Sequence, residues 1–272
     1  MISLFRPIIL LLSLILFWTQ EIKAVQQRGI KHNPSIYVSN EVWEQVQDYL
    51  MPDDHPMKEK LDQIFSNSRA LADQESMVAA GFAPAQPMPR TKITVTRHSE
   101  IPGYVIKAYL DVTPRGGKNR PEHYFLIKRV IGSRLIQKSI RDHNYEHLLK
   151  VPKKWIYLLP DEPSPPPHYL RKVFILVEDD MDIFDNKKNK EKWGSKQVTK
   201  ELLKAFYTVI TELTLSDSTK LPNCPFSRDG RVSLIDTQMF NTGYMKYDKL
   251  TRHLSPPMQT YWKELISNGG QK

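Results

Sequence analysis

Apolar positions along this chain recur at helical spacing in some stretches and at every second residue in others. Val42, Val46 and Leu50 fall on one face of a helix that Ser39 can cap and Pro52 can end. A second helix is predicted from about Met57, with Leu61, Ile64, Phe65 and Leu71 in register. "FAPAQPMP", residues 82–89, holds three prolines and reads as an extended connector. The period then changes to two: Ile93 and Val95 begin a strand, and after the Pro102-Gly103 turn "YVIKAYLDV" places Tyr104, Ile106, Ala108 and Leu110 on one face. Val105, Lys107 and Tyr109 share the other face, and a lysine in mid-strand reads first as a solvated amine on an exposed face. "PRGGKNRPE", residues 114–122, is expected to be a flexible loop leading to a helix with a stripe of Ile127, Ile131, Leu135, Ile136 and Ile140. "LLKVPKKWIYLLP" is a strand broken at Pro152, "PSPPP" a stiff surface loop, and "KVFILVED" a buried strand leaving the core at Glu178. A helix over Ser195–Leu213 buries Val198, Leu202, Ala205, Phe206, Val209, Ile210 and Leu213, and Met258, Tyr261, Trp262, Leu265 and Ile266 line a closing helix. The succession of strand, strand, helix, strand, strand, linker, helix, loop and strand predicts an α+β fold.

Composition narrows the class. With 40% apolar and 25% charged residues, the 272-residue chain suits one globular domain or two small lobes, and neither disorder nor a collagen-like fibre. The first residues differ from the rest: Arg6 precedes an apolar run from Ile8 to Trp18, and Ala24 is a small residue at a cleavage position. A signal peptide over 1–24 is expected, since the run falls short of the roughly 20 residues that span a bilayer; an uncleaved anchor is the competing reading. The expectation is an exported protein, periplasmic or secreted, or one delivered to a host cell, that meets a membrane only through an uncleaved signal segment. Cys224 is the single cysteine, so no intramolecular disulfide forms and stability rests on packing. The formal charge of +9 is spread, with a local run "KKNKEK" at 187–192 that reads as a solvated loop. Such a spread favours loose contact with acidic or phosphate-bearing ligands and does not single out nucleic acid.

Three stretches carry chemistry. Lys107 interrupts its strand with a charge. "FILVEDDMDIF", 174–184, gathers Glu178, Asp179, Asp180 and Asp182, yet lacks the glycine of a calcium loop. "LPNCPFSRDGRVSLIDTQ" sets Asn223 and Asp236 on either side of an Asp229-Gly230 turn, two hard oxygen donors of the kind magnesium takes. An aspartate that only ends a strand is the plainer account of Asp236.

These motifs, in this order, resemble the protein kinase fold over about residues 91–240. The resemblance implies a two-lobed α+β architecture with a shortened helical C-lobe and extra N-terminal helices: signal peptide 1–24, helical extension and linker 25–90, N-lobe 91–180 and C-lobe 181–272. It implies that Lys107 contacts nucleotide phosphates and Val105 roofs the adenine. The main chain around Glu178 and Asp180 would face the adenine edge. Asn223 and Asp236 would hold Mg2+ against ATP, Asp217 would be the base and Lys220 a phosphate contact. The chain departs from the pattern in four places. Only Gly103 stands where a glycine-rich loop belongs; Leu215-Ser216-Asp217 replaces the His-Arg-Asp triplet, six positions before Asn223. The helix after Lys107 has no acid to pair with it, leaving Gln137 or Asp236 to orient the ammonium, and Thr237-Gln238 follows Asp236, after which 36 residues remain. A regulatory pseudokinase, with a protein partner at the N-terminal helices, an active atypical phosphotransferase, and an unrelated exported interaction protein are the three expected functions. His143 with His147 reads as a surface pair, and Cys224 as a buried structural thiol.

Overall fold

The computed structural model describes residues 32–85, 92–113 and 120–270; the expected signal segment 1–24, connector residues 86–89 and loop residues 114–119 lie outside the described residues. The chain divides into two compact units, residues 1–47 and 48–272. In the first, α1 (Asn40–Val46) starts where Ser39 Oγ accepts from Val42 N–H at 3.4 Å. Asn33 Nδ2 donates to Val38 O at 2.6 Å and its Oδ1 accepts from Ser35 N–H at 3.2 Å, which folds the preceding stretch into a turn.

The second unit runs α2 (Lys58–Asn67), α3 (Gln74–Ala79), β1 (Thr94–Thr96), β2 (Tyr104–Ala108), α4 (Glu122–Asp142), β3 (Leu149–Lys150), β4 (Lys154–Leu158), β5 (Phe174–Asp179), α5 (Asn186–Trp193), α6 (Lys200–Glu212), β6 (Val232–Ser233), α7 (Asp248–Thr251) and α8 (Pro256–Ser267). The architecture is α+β. Four antiparallel strands form a sheet in the order β1-β2-β5-β4, and β3 pairs with β6 in parallel. Pro152 separates β3 from β4, which join different sheets. Among the described residues no helix is long and apolar enough to cross a membrane.

Two apolar cores result. One face of the sheet, with Ile106, Ala108, Tyr157, Ile175 and Val177, packs on Leu61, Ile64 and Phe65 of α2 and Met77 of α3. Each such side chain contributes roughly 1.5–3 kcal/mol before ordering costs. The apolar faces of these two helices are thereby consumed by the sheet, and residues 58–79 belong to its core rather than to a separate extension. The other core joins α6, α8, β3, β6 and the end of α4 through Ile136, Ile140, Leu149, Phe206, Ile210, Val232 and Trp262.

Three local expectations change. α6 begins at Lys200, where Thr199 Oγ1 accepts from Leu202 N–H, and Leu213 is only half-buried. The lysine-rich run is helical: Asp185 caps α5 through Lys188 N–H, and Asn189 and Trp193 anchor it inward while the lysines stay outside. In α4 the buried residues include Leu126, Arg129, Val130, Gly132, Ser133 and Ile136, whereas Ile127, Ile131 and Leu135 are half-buried. The helix is rotated because its sheet-facing side meets charge and backbone rather than an oily surface.

Candidate functional site at a buried charge cluster

The sheet face opposite α2 and α3 carries the chemistry. In antiparallel strands, residues in register share a face. Glu178 on β5 lies opposite Val105 on β2 and Lys154 on β4, and Lys107 lies one pair further along, opposite Leu176. Lys107, Lys154 and Glu178 therefore point to the same side, toward α4. Lys107 Nζ sits 2.7 Å from Glu178 Oε1, and Lys154 Nζ 2.7 Å from Oε2, with all three residues buried. The lysine expected as a solvated amine is a buried ion-pair partner, and Glu178, expected to mark the strand's exit from the core, remains inside it.

Asp236 enters the same cluster from the end of β6. The Asp229-Gly230 turn brings the chain back: Ser227 N–H donates to Arg231 O at 2.9 Å, and Gly230 takes φ +87°, where a side chain would be strained. Asp229 is held below the ordinary carboxylate range: burial opposes ionisation, but hydrogen bonds from Arg231, Ser227 and Lys150 outweigh it. After β6, three successive residues are tied down. Lys154 Nζ donates to Ile235 O at 2.8 Å, Arg129 Nη1 donates to Asp236 Oδ1 at 2.9 Å, and Thr237 Oγ1 donates to Arg129 O at 2.6 Å. Gly132 makes that approach feasible, since a Cβ there would lie 1.8 Å from Thr237 O. Asp236 is thus more than a strand end: it is a long-range partner of α4.

Three basic groups, of which Lys154 is only partly charged near neutral pH, face two carboxylates in this cluster. Burial alone would raise the carboxyl of Glu178, but Lys107 and then Lys154 bring it below its usual range. Asp236 follows the same balance, with Arg129 the foremost stabiliser and Lys107 and Lys154 behind it. Lys154 bears the cost: burial pushes its ammonium down to about 7 despite Glu178. Arg129 Nε is buried with no hydrogen-bond partner, and its side chain is 6% exposed against 27% for Asp236. A positive surplus with an orphan donor beside a partly open carboxylate is an arrangement that an anion would complete.

The remaining predicted residues lie around this centre. Val105 is buried on the same face as Lys107. Ile235 N–H donates to Asn223 O at 3.1 Å, which sets the Asn223 backbone beside the Asp236 segment. Asn223 Nδ2 donates to Asp217 O at 3.0 Å, so its free hydrogen-bonding end is the carbonyl Oδ1. Asp217 pairs with Lys220 at 2.8 Å. The main chain expected at an adenine edge is engaged elsewhere: Asp179 N–H donates to Lys153 O at 3.0 Å and Asp180 N–H to Gly103 O at 2.8 Å. The Asp180 carboxylate is held by Arg97, which keeps its pKa low. Asp182 pairs with Arg228 at 3.0 Å, and Asp185 is a helix cap, so the acidic run does not converge on one point.

Compared with known families and curated proteins, the chain matches no family model and no curated protein. Among the described residues, no group of three or more His, Cys, Asp and Glu gathers as a cation site. His143 and His147 turn to different acids, Glu212 at 3.1 Å and Glu201 at 3.2 Å. Cys224 is fully buried, and burial pushes its thiol up, as expected of a structural cysteine.

Sequence reasoning missed Arg129 and Lys154. Lys154 had the same signal as Lys107, a charge at the parity of Ile156 and Leu158. Arg129 sits at helical spacing with Leu126, Val130 and Ser133, next to Gly132, and small residues on a helix face announce a close approach.

Proposed function

We propose that this chain is a kinase-like module that binds a magnesium–nucleotide at the Lys107–Arg129–Lys154 cluster and acts chiefly as a regulatory binding domain. The observation that carries this is the positive surplus with an orphan Arg129 Nε where the β2 lysine meets the aspartate after β6. The order of parts supports it: a strand lysine, a long helix, three strands of which two join the four-stranded sheet, two helices, a loop asparagine and an aspartate after a strand, an order similar to that of kinases. The donor set fits magnesium held with phosphate oxygens rather than in an all-protein cage. Asp236 is ionised and Oδ2 lies outside its bond to Arg129, while Asn223 offers Oδ1. Magnesium, when bound, would neutralise phosphate oxygens. Lys107 has donors beyond the one aimed at Glu178, and Arg129 Nε would gain an acceptor.

The binding role is preferred over ordinary kinase activity because the acid that orients Lys107 comes from β5, α4 contributes an arginine instead, and the strand-edge amides of Asp179 and Asp180 are used. One contact favours phosphotransfer as a second reading: the Asn223 amide on Asp217 O fixes the candidate base relative to a candidate metal donor. Export by residues 1–24 belongs to the same proposal and predicts a mature chain starting near Val25 on N-terminal sequencing.

Titration of the full chain with Mg-ATP should give saturable binding that is lost in Asp236→Asn and Lys107→Met. Absence of binding in the wild type, or equal binding in both variants, would overturn this reading and favour an unrelated interaction protein. Autophosphorylation by the wild type but not by Asp217→Asn would raise the second reading above the first.

A further inference from the structure

A second concentration of charge lies in the helical part, on residues outside the Lys107–Arg129–Lys154 cluster. Lys190 from α5, Lys220 and Leu221 from the turn before Asn223, Lys249 from α7, and Arg252 and His253 just after it line a cavity of about 490 Å³. That is the size range of small-ligand sites, which run roughly 300–1,000 Å³. No carboxylate lines it. Among the described residues, Lys190, Lys249 and Arg252 form no ion pair; the nearby acid Glu191 is turned to Lys188 at 3.0 Å. Lys220 is the exception, since it also reaches Asp217.

Four cations from three separate elements converging on one concavity repel each other, and that repulsion is relieved by an anion. The local field is already visible at His253. Arg252 Nε donates to His253 Nε2 at 3.1 Å, which needs a neutral imidazole, and the ring's pKa is lowered by burial and then by Arg252 and Lys190. One phosphate would leave much of this volume and charge unanswered.

We infer that this cavity is an oxyanion site for a ligand bearing two or more clustered phosphate groups. It goes beyond the nucleotide reading and does not depend on it. The ligand's source is either a free polyphosphorylated small molecule or neighbouring phosphorylated side chains of a peptide. Lysine and arginine heads supply charge-assisted hydrogen bonds, and Leu221 offers an apolar wall. Because Lys220 is shared with Asp217, occupation draws on the same ammonium that pairs the candidate base.

The test titrates the full chain with inorganic tripolyphosphate and, separately, with a doubly phosphorylated serine peptide and its unphosphorylated twin. The Lys190→Ala/Arg252→Ala variant, altered only at exposed side chains, should weaken tripolyphosphate by about tenfold or more, since hydrogen bonds to charged groups are the strong ones. Lys107→Met should leave this binding unchanged, which separates the cavity from the charge cluster. Binding should weaken with added salt, and the His253 ring should titrate at higher pH when tripolyphosphate is present. Tighter binding of the phosphopeptide than of tripolyphosphate would identify a peptide source, and the reverse a free small molecule. Failure of the wild type to bind either, binding unaltered in the double variant, or binding lost in Lys107→Met would each overturn the inference.

Discussion

Two buried charge sites flank the sheet, and they are built differently. Arg69 and Asp111 meet through two parallel bonds, Nε to Oδ2 at 2.7 Å and Nη2 to Oδ1 at 2.8 Å. Further bonds tie the pair to the chain: Arg69 Nη2 also donates to Lys172 O at 2.6 Å, and Asp111 Oδ1 accepts from Lys172 N–H at 2.6 Å. One cation balances one anion, and Asp111 is fully buried. At the Lys107–Lys154–Glu178–Arg129–Asp236 cluster, three basic groups share two carboxylates and one guanidinium donor has no acceptor. The first site is complete without a ligand and fastens the loop after α2 to the end of the sheet. The second leaves a buried guanidinium donor without an acceptor, which the proposed anion would supply. Balance and satisfaction, rather than burial of charge as such, distinguish a staple from a binding site.

The largest effect should come from breaking the staple. Asp111→Ala leaves Arg69 charged and buried, and should cost about 3–5 kcal/mol in denaturant unfolding with no ligand present. A loss under 1 kcal/mol would mean the pair is no staple. Next is Gly132→Ala, whose Cβ has to displace the backbone at Thr237. It should cost about 1–3 kcal/mol and abolish nucleotide binding by moving Asp236, so a variant that binds normally would disprove the role given to this close approach.

A pH comparison sharpens the contrast. Burial lowers Lys154 to about 7 in the folded chain from its ordinary 10.5 when exposed, so between these the unfolded state binds more protons and stability must rise with pH. Wild type should gain on Lys154→Met from pH 7 to pH 10, at up to about 1.4 kcal/mol per pH step where the states differ by a full proton. Parallel curves would contradict the lowered pKa of Lys154. Glu178 and Asp236 act at the acid end: their pKa values are depressed on folding, so the stability they supply is present above their unfolded values and is lost as pH falls through the folded ones. The smallest effect should be at the surface pair of Arg97 and Asp180. With Arg97 54% exposed, Arg97→Ala should cost about 0–1 kcal/mol by thermal unfolding.

Much of the fold was legible where periodicity was strong and uncontested. Ser39, Leu61, Ile64 and Phe65, the face shared by Ile106 and Ala108, and the buried face of α6 from Leu202 to Ile210 all sit as the pattern predicts. The pattern failed where tertiary contacts chose between faces. Three isoleucine and leucine positions suggested one side of α4, but the side that packs carries Arg129, Gly132 and Ser133, because its counterpart is a charged sheet face and a backbone carbonyl. Likewise, a lysine-rich run gave no sign that Asn189 and Trp193 would anchor it as α5. Of the candidate site, Lys107 and Asp236 were visible as charges at positions where a strand has no local use for them. That Glu178 and Arg129 would be their partners was not, since those pairings join residues 71 and 107 positions apart in sequence, which no local spacing encodes.

The most direct test of the central claim is the thermal stability of the full chain with magnesium alone, ATP alone and both. A ligand that binds only the folded state at a hundred times its Kd adds about 2.7 kcal/mol, or roughly 5–10 °C for a unit of this size. The account predicts such a rise only when both are present, its loss in Asp236→Asn, and its persistence in Arg97→Ala. No rise at saturating concentrations, or an equal rise in Asp236→Asn, would contradict the claim that the unbalanced cluster is a binding site.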